Sequence, residues 1–186
     1  MDARVKPAPN EIRLARAENP KMRERDLAGM LGISEAELVA AHCAAGATRI
    51  EPRVNEVLTG LEAVGEVMAL TRNAGAVHEK IGIYDKVVTG SEHAIVLGEQ
   101  IDLRIFPKNW VHGFAVEKRD GDEIRRSLQF FDRSGEAVHK VHLRASSNLH
   151  AYQKLVDSLI ADDQAPLIDI YDQHGEVGGA VAEEGA

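Results

Sequence analysis

AVHEKIGIY, residues 76–84, decides how this chain is read. Alternation along an extended strand places Ala76, His78 and Lys80 on one face and Val77, Glu79 and Ile81 on the other, so the histidine of the run shares its face with a cation. The run lies inside a longer block, residues 65–106, where a helical period gives way to a strand period.

Upstream of that block the pattern is helical. Residues 10–18 form a first predicted helix that stops before Asn19-Pro20, because a residue preceding proline is pushed out of the helical region. Residues 22–31 form a second, closed by Gly32, and Ser34 with Glu37 makes an S-x-x-E capping box for a third that buries Leu38 and Val39. A fourth, residues 54–64, carries Val54, Val57, Leu58 and Leu61 at helical spacing.

Downstream, strands are predicted at residues 66–71, 76–88, 94–97, 101–106, 110–118, 124–132 and 137–144. The separators, such as Asn73-Ala74-Gly75 and Arg133-Ser134-Gly135, are too short for parallel crossovers and favour antiparallel neighbours. An amphipathic helix at residues 148–161 closes the pattern through Leu149, Tyr152, Leu155, Val156 and Leu159. The expected fold class is α+β: an antiparallel sheet with an N-terminal helical layer and a C-terminal helix. Residues 1–174 are expected to form one domain, and the Gly-, Ala- and Glu-rich residues 175–186 a disordered tail or linker.

Composition disfavours several functions. With a net charge of −8 and 4% aromatic residues, the chain is poorly suited to binding nucleic acid or an anionic membrane. Asp26 to Ala41 has the spacing of a helix-turn-helix, but its second helix offers Glu35, Glu37 and alanines where a DNA reader needs Arg, Lys, Asn or Gln. No segment approaches the ~20 apolar residues of a membrane span, and the N-terminus lacks the apolar stretch of a signal peptide, so a cytoplasmic location is expected. The single cysteine, Cys43, allows no internal disulfide.

Among the histidines, His139 and His142 are three apart on a strand and point to opposite faces, so they do not share an ion, and His139 reads as a core histidine among Ala137, Val141 and Leu143. His42 and Cys43 diverge by about 100° on a helix and make no metal or catalytic pair. No phosphate-binding glycine loop, nucleophile elbow or H-E-x-x-H is present. His78 stands in the alternating run with Lys80 on its face. A b-type haem site needs an imidazole for iron, apolar walls and cations for two propionates. The block around His78 offers its own ring, with Val77 and Ile81 as walls and Arg72 and Lys80 as cations; residue type alone equally allows an ordinary surface histidine. In IDLRIF, residues 101–106, Ile101, Leu103 and Ile105 share one face, and Arg104 lies with Asp102 and Phe106 on the other.

The blocks ENPKMRERDLAGMLGISEAELVAA, GEVMALTRN, AVHEK, DLRIF, SLQFFD and AVHKVHL stand in the order and spacing of the N-terminal half of the HemS/ChuS/HmuS hemin-degrading factors, and the chain resembles that family over residues 11–160. The resemblance implies a non-covalent haem ligand and a role in iron acquisition by haem transfer or oxidative haem degradation. It further implies His78 as an iron ligand and Arg104 as a distal, catalytic or propionate-pairing residue. Full-length members are tandem duplications whose second copy carries an Asp-x-His-x-Phe-Phe segment with the principal ligand. Here the nearest echo, Asp172-Gln173-His174-Gly175, lacks the aromatic pair, which puts complete degrading activity in doubt. Single-repeat relatives of the ChuX/HutX type imply a homodimer, and the family implies a haem-uptake or haem-oxygenase partner. The competing readings are a non-catalytic haem chaperone or regulatory domain, and a helix-turn-helix DNA binder.

Overall fold

A computed structural model describes residues 5–171. Three helices open the chain: α1 (Pro9–Glu18), α2 (Glu24–Leu31) and α3 (Glu35–Ala40). Helix α1 stops at Asn19, as the following proline requires. Helix α2 stops at Gly32, whose φ of 69° is the left-handed conformation that glycine adopts without a Cβ penalty. In the capping box of α3, Ser34 Oγ accepts from the Glu37 N–H at 3.2 Å and Glu37 Oε2 accepts from the Ser34 N–H at 2.7 Å. Ile12, Leu27, Ala28, Leu38 and Ala41 form the small core of this layer.

The main sheet has six antiparallel strands in the order β1 (Ala47–Ile50), β7 (His112–Asp120), β8 (Glu123–Phe131), β9 (Ala137–Leu143), β2 (Val67–Arg72) and β3 (Val77–Gly82). Ala36, Val39 and Ala40 of α3 pack on one face, against Ala47, Phe114, Phe131 and Ala137. On the other face lie α4 (Val54–Val64), α5 (Leu149–Leu159) and a three-stranded antiparallel sheet of β4 (Val87–Val88), β5 (Ala94–Leu97) and β6 (Asp102–Ile105). This face holds the larger core, in which Val57, Leu58 and Leu61 of α4 and Leu155 and Leu159 of α5 meet Leu128, Phe130 and Val141 of the sheet. The α+β class and the antiparallel pairing expected from the short turns are present, and α4 and β5 begin and end at the expected residues.

Two expectations are corrected. The run 76–88 is not one strand: it leaves the main sheet at Gly82 and re-enters the second sheet at Val87. Gly82 permits that passage, since a Cβ there would sit 2.8 Å from Gln100 Cβ and 3.1 Å from Ile101 Cγ1. Strand β1 was not anticipated, because four residues with Thr48-Arg49 at their centre carry too little apolar alternation to stand out. The expectations for residues 175–186, and for the Asp172 to Gly175 echo, lie outside the described residues.

The helix-turn-helix lookalike has its second helix built into the fold. Glu35 at its start is only 4% exposed and is held by two cations of the main sheet, Lys140 Nζ at 3.0 Å and the Arg72 guanidinium. Removing one member of a buried ion pair leaves an uncompensated charge. Glu35→Gln is therefore expected to lower the unfolding free energy by about 3 kcal/mol, measured by urea denaturation. A loss within the ordinary surface range of about 0.5 kcal/mol would show that the carboxylate does not pin the helical layer.

Candidate functional site: a cavity between the two sheets

The β2–β3 hairpin turns over residues 73–76, where Asn73 Oδ1 accepts from the N–H groups of Gly75 at 2.8 Å and Ala76 at 2.9 Å. That turn sets the register Arg72↔Val77, Thr71↔His78 and Ala69↔Lys80. Directly opposed residues share a face, so one row runs Phe130, His139, Thr71, His78 across β8, β9, β2 and β3. On this face His78 and Lys80, with Ala69 and Thr71, form one wall of a cavity of about 240 Å³. The opposing wall comes from Gln100 to Leu103, the segment that enters β6. His78 and Lys80 are exposed. Among the described residues the His78 side chain has no hydrogen-bond partner and Lys80 no ion-pair partner.

The sequence-selected cations separate. Arg72 is one residue out of phase with Thr71, so it emerges on the helical face and its guanidinium is committed to Glu35. The structure therefore does not bring Arg72 to the His78 cavity. Arg104 lies opposite Ile95 on β6, exposed with Asp102, while Ile105 turns inward and is buried. It stands outside the cavity wall. A further cavity, about 200 Å³, lies between the helical layer and β7 and includes His42, Arg16 and Lys118. Its chemistry is largely spoken for: His42 Nδ1 donates to the Leu38 carbonyl at 2.9 Å, and Arg16 and Lys118 pair with Glu24 at 3.8 and 3.2 Å.

Behind the His78 wall lies a buried polar group. His139, 3% exposed, is bonded through Nδ1 to Thr71 Oγ1 at 2.9 Å and through Nε2 to the Tyr84 hydroxyl at 2.5 Å. Its ring stacks on Trp110 with centroids 5.3 Å apart, and Trp110 stacks in turn on Phe130 at 4.2 Å. Burial lowers the His139 pKa from 6.5 to about 4 and raises that of Tyr84. The core position expected for His139 is present, and His142 faces the opposite way. Sequence reasoning passed over Thr71 and Gln100, and named Ile101, Asp102 and Leu103 only as strand neighbours of Arg104. For Thr71 a signal existed, since a four-residue turn at 73–76 already places it opposite His78.

No helix among the described residues is long and apolar enough to cross a membrane, and none of their side chains form a cluster of three or more His, Cys, Asp or Glu able to hold a metal ion. A two-sheet, helix-layered fold with an uncommitted histidine on an inter-sheet wall defines the class, and comparison with known proteins gives the family. Residues 32–159 match the haemin-degrading HemS.ChuX domain, and the chain belongs to that family.

Relatives extend the match. The chain is 37% identical over 150 residues to the hemin transport protein HemS of Yersinia enterocolitica, covering 80% of this chain and 44% of that protein. It superposes on holo-PhuS, a heme-binding protein from Pseudomonas aeruginosa, with a TM-score of 0.85 and 36% identity over 94% of this chain and 52% of the other. For ChuS, a heme degrading enzyme of Escherichia coli O157:H7, the TM-score is 0.77 and the identity 31%, over 88% and 52% of the two chains. The chain thus spans about half the length of the curated relatives it matches.

The buried imidazole makes stability depend on pH. His139 takes a proton near 6.5 when unfolded but only near 4 when folded. Between those values the unfolded state binds more protons, so stability is full above pH 6.5 and falls as the pH drops towards 4. The expected loss from this group is about 3 kcal/mol. Denaturant titrations at pH 7 and 4.5 should show it in the wild type and a much smaller change in His139→Gln. Equal losses in the two proteins would place the acid sensitivity elsewhere.

Proposed function

We propose that this chain is a cytoplasmic haem-binding protein of iron acquisition, holding a non-covalent, b-type haem with His78 as the iron ligand. One observation carries the reading: His78 and Lys80 stand uncommitted and side by side on the wall of an inter-sheet cavity, whereas Arg72, Lys140, Arg16 and Lys118 are tied to buried or neighbouring carboxylates. Family membership, and the likeness to a hemin transport protein, a heme-binding protein and a heme degrading enzyme, support it. In this reading Lys80 pairs with a propionate, and Arg72 leaves the haem-contact set for a structural one. Arg104, exposed and without an ion pair among the described residues, is the residue available for a distal or propionate-pairing role.

Haem passes onward to an uptake or oxygenase partner or is opened oxidatively, the bound haem supplying redox iron when oxygen and a reductant are present. The protein's part is to ligate, orient and pair charge. The alternative is a non-catalytic chaperone or regulatory domain with the same binding wall.

Hemin titration followed by ascorbate under air separates these readings. The wild type should give a ligand-specific Soret band that His78→Ala abolishes; an unchanged band in that variant would end the assignment. Bleaching with a biliverdin-like product supports degradation, and a persistent band supports carriage. In the first case Arg104→Ala should alter the rate while changing stability by less than about 1 kcal/mol.

Assembly follows from the same strand. Val77 and Ile81 of β3, expected as haem walls, are instead 57% and 42% exposed on the face opposite the cavity. β3 is the edge strand of the main sheet, so its free backbone edge with these two apolar side chains offers a pairing surface, and a homodimer is expected. Sedimentation over a concentration range should show it, and Val77→Lys with Ile81→Lys should shift the population to monomer. A wild type that remains monomeric throughout would exclude the dimer.

A further inference from the structure

We propose that the Thr71 hydroxyl is a fixed hydrogen-bond donor to a haem carboxylate, held in that role by the buried chain Tyr84, His139, Thr71. The inference rests on the haem reading above and adds a specificity-determining residue to the same wall.

The direction of the chain follows from counting hydrogens. Burial keeps Tyr84 protonated, and its hydroxyl has one hydrogen and one partner, His139 Nε2 at 2.5 Å. Burial also keeps His139 neutral at ordinary pH, so the ring carries a single N–H. Were that hydrogen on Nε2, it would face the Tyr84 oxygen, and the hydrogen of the fully buried Tyr84 hydroxyl would have no acceptor among the described residues. Stranding a buried donor is costly. Nε2 therefore accepts from Tyr84, Nδ1 carries the hydrogen, and Thr71 Oγ1 at 2.9 Å accepts it. Among the described residues the Thr71 hydroxyl has no other partner. Its own hydrogen is left to point outward, and donation from His139 into its oxygen polarises it as a donor.

The position of Thr71 says what receives that hydrogen. It is exposed and lines the cavity directly opposite His78 and diagonal to Lys80. Diagonal cross-strand neighbours lie within reach of a long side chain. A hydroxyl donor and an ammonium together match a carboxylate, which offers acceptor sites to both. Asp102 on the facing wall repels an anion that is not paired by these donors.

Two measurements test this. In the ligand-free protein, side-chain ¹⁵N NMR should find His139 protonated at Nδ1; protonation at Nε2 would reverse the chain and overturn the proposal. Hemin and hemin dimethyl ester, which lacks free carboxylates, are then titrated into the wild type, Thr71→Ser and Thr71→Val. For hemin, Thr71→Val should bind about tenfold more weakly with an unchanged Soret position, and Thr71→Ser should bind as the wild type does. For the ester all three should bind alike. An unchanged hemin affinity in Thr71→Val, or an equal loss for both ligands, rejects the carboxylate role while leaving His78 ligation intact. A wild type that takes up neither ligand rejects the haem reading itself, and this inference with it.

Discussion

The carboxylate of Glu35 is the constraint from which the rest of the architecture can be traced. It enters the molecule from the N-terminus of α3 and meets Lys140 of β9 and Arg72 of β2, adjacent strands of the main sheet. Taking three charges out of water is unfavourable unless they satisfy one another, so the helix, β9 and β2 are held in one relative register. Side chains alternate along a strand, and fixing Lys140 and Arg72 on the helical face sends His139 and Thr71 to the other. A slip of one residue would exchange the faces and put charged groups into the aromatic core around Trp110 and Phe130. The ion-pair cluster on one side of the sheet and the cavity on the other are thus two consequences of one registration.

Much of this was legible before the structure, wherever the determinant is local. The capping box of α3, the glycine stop of α2 and the apolar spacing of α4 involve residues within a few positions of one another, and all lie where the pattern puts them. Failures occurred where the determinant is distant. Gly82 looks like an ordinary strand residue until Gln100 and Ile101 are found against it, at the point where the run 76–88 leaves the main sheet. Arg72 illustrates the same limit within the site. Its charge and proximity to His78 in sequence suit a propionate partner, but its phase on β2 and its distant partner Glu35 assign it to the helical face.

The helix-turn-helix likeness shows how a local pattern can belong to two different structures. Two short helices about a glycine turn bury one another in either case. What differs is the outer face of the second helix: a DNA reader leaves it free, whereas here Ala36, Val39 and Ala40 are spent on Phe114, Phe131 and Ala137 of the sheet. The acidic residues that argued against phosphate contact include Glu35, the one buried anion among the described residues, which fastens the layer. Glu35 therefore reads in sequence as an argument against one function and in structure as the basis of the fold.

His139 joins stability to the chemistry of the wall through a single condition, its neutrality. With one ring hydrogen the chain from Tyr84 to Thr71 is satisfied at every buried atom and ends in a hydrogen directed outward. A second ring proton would turn Nε2 from acceptor to donor, leave the Tyr84 hydrogen without an acceptor, and place a charge among Trp110, Phe130 and Val141. The desolvation that makes the fold sensitive to acid is the same desolvation that keeps Thr71 a donor. An aliphatic residue at position 139 would remove the acid sensitivity, but it would also free Thr71 to rotate and to accept as readily as it donates. The buried histidine weakens the protein in acid, but no apolar replacement can tell the Thr71 hydroxyl which way to point.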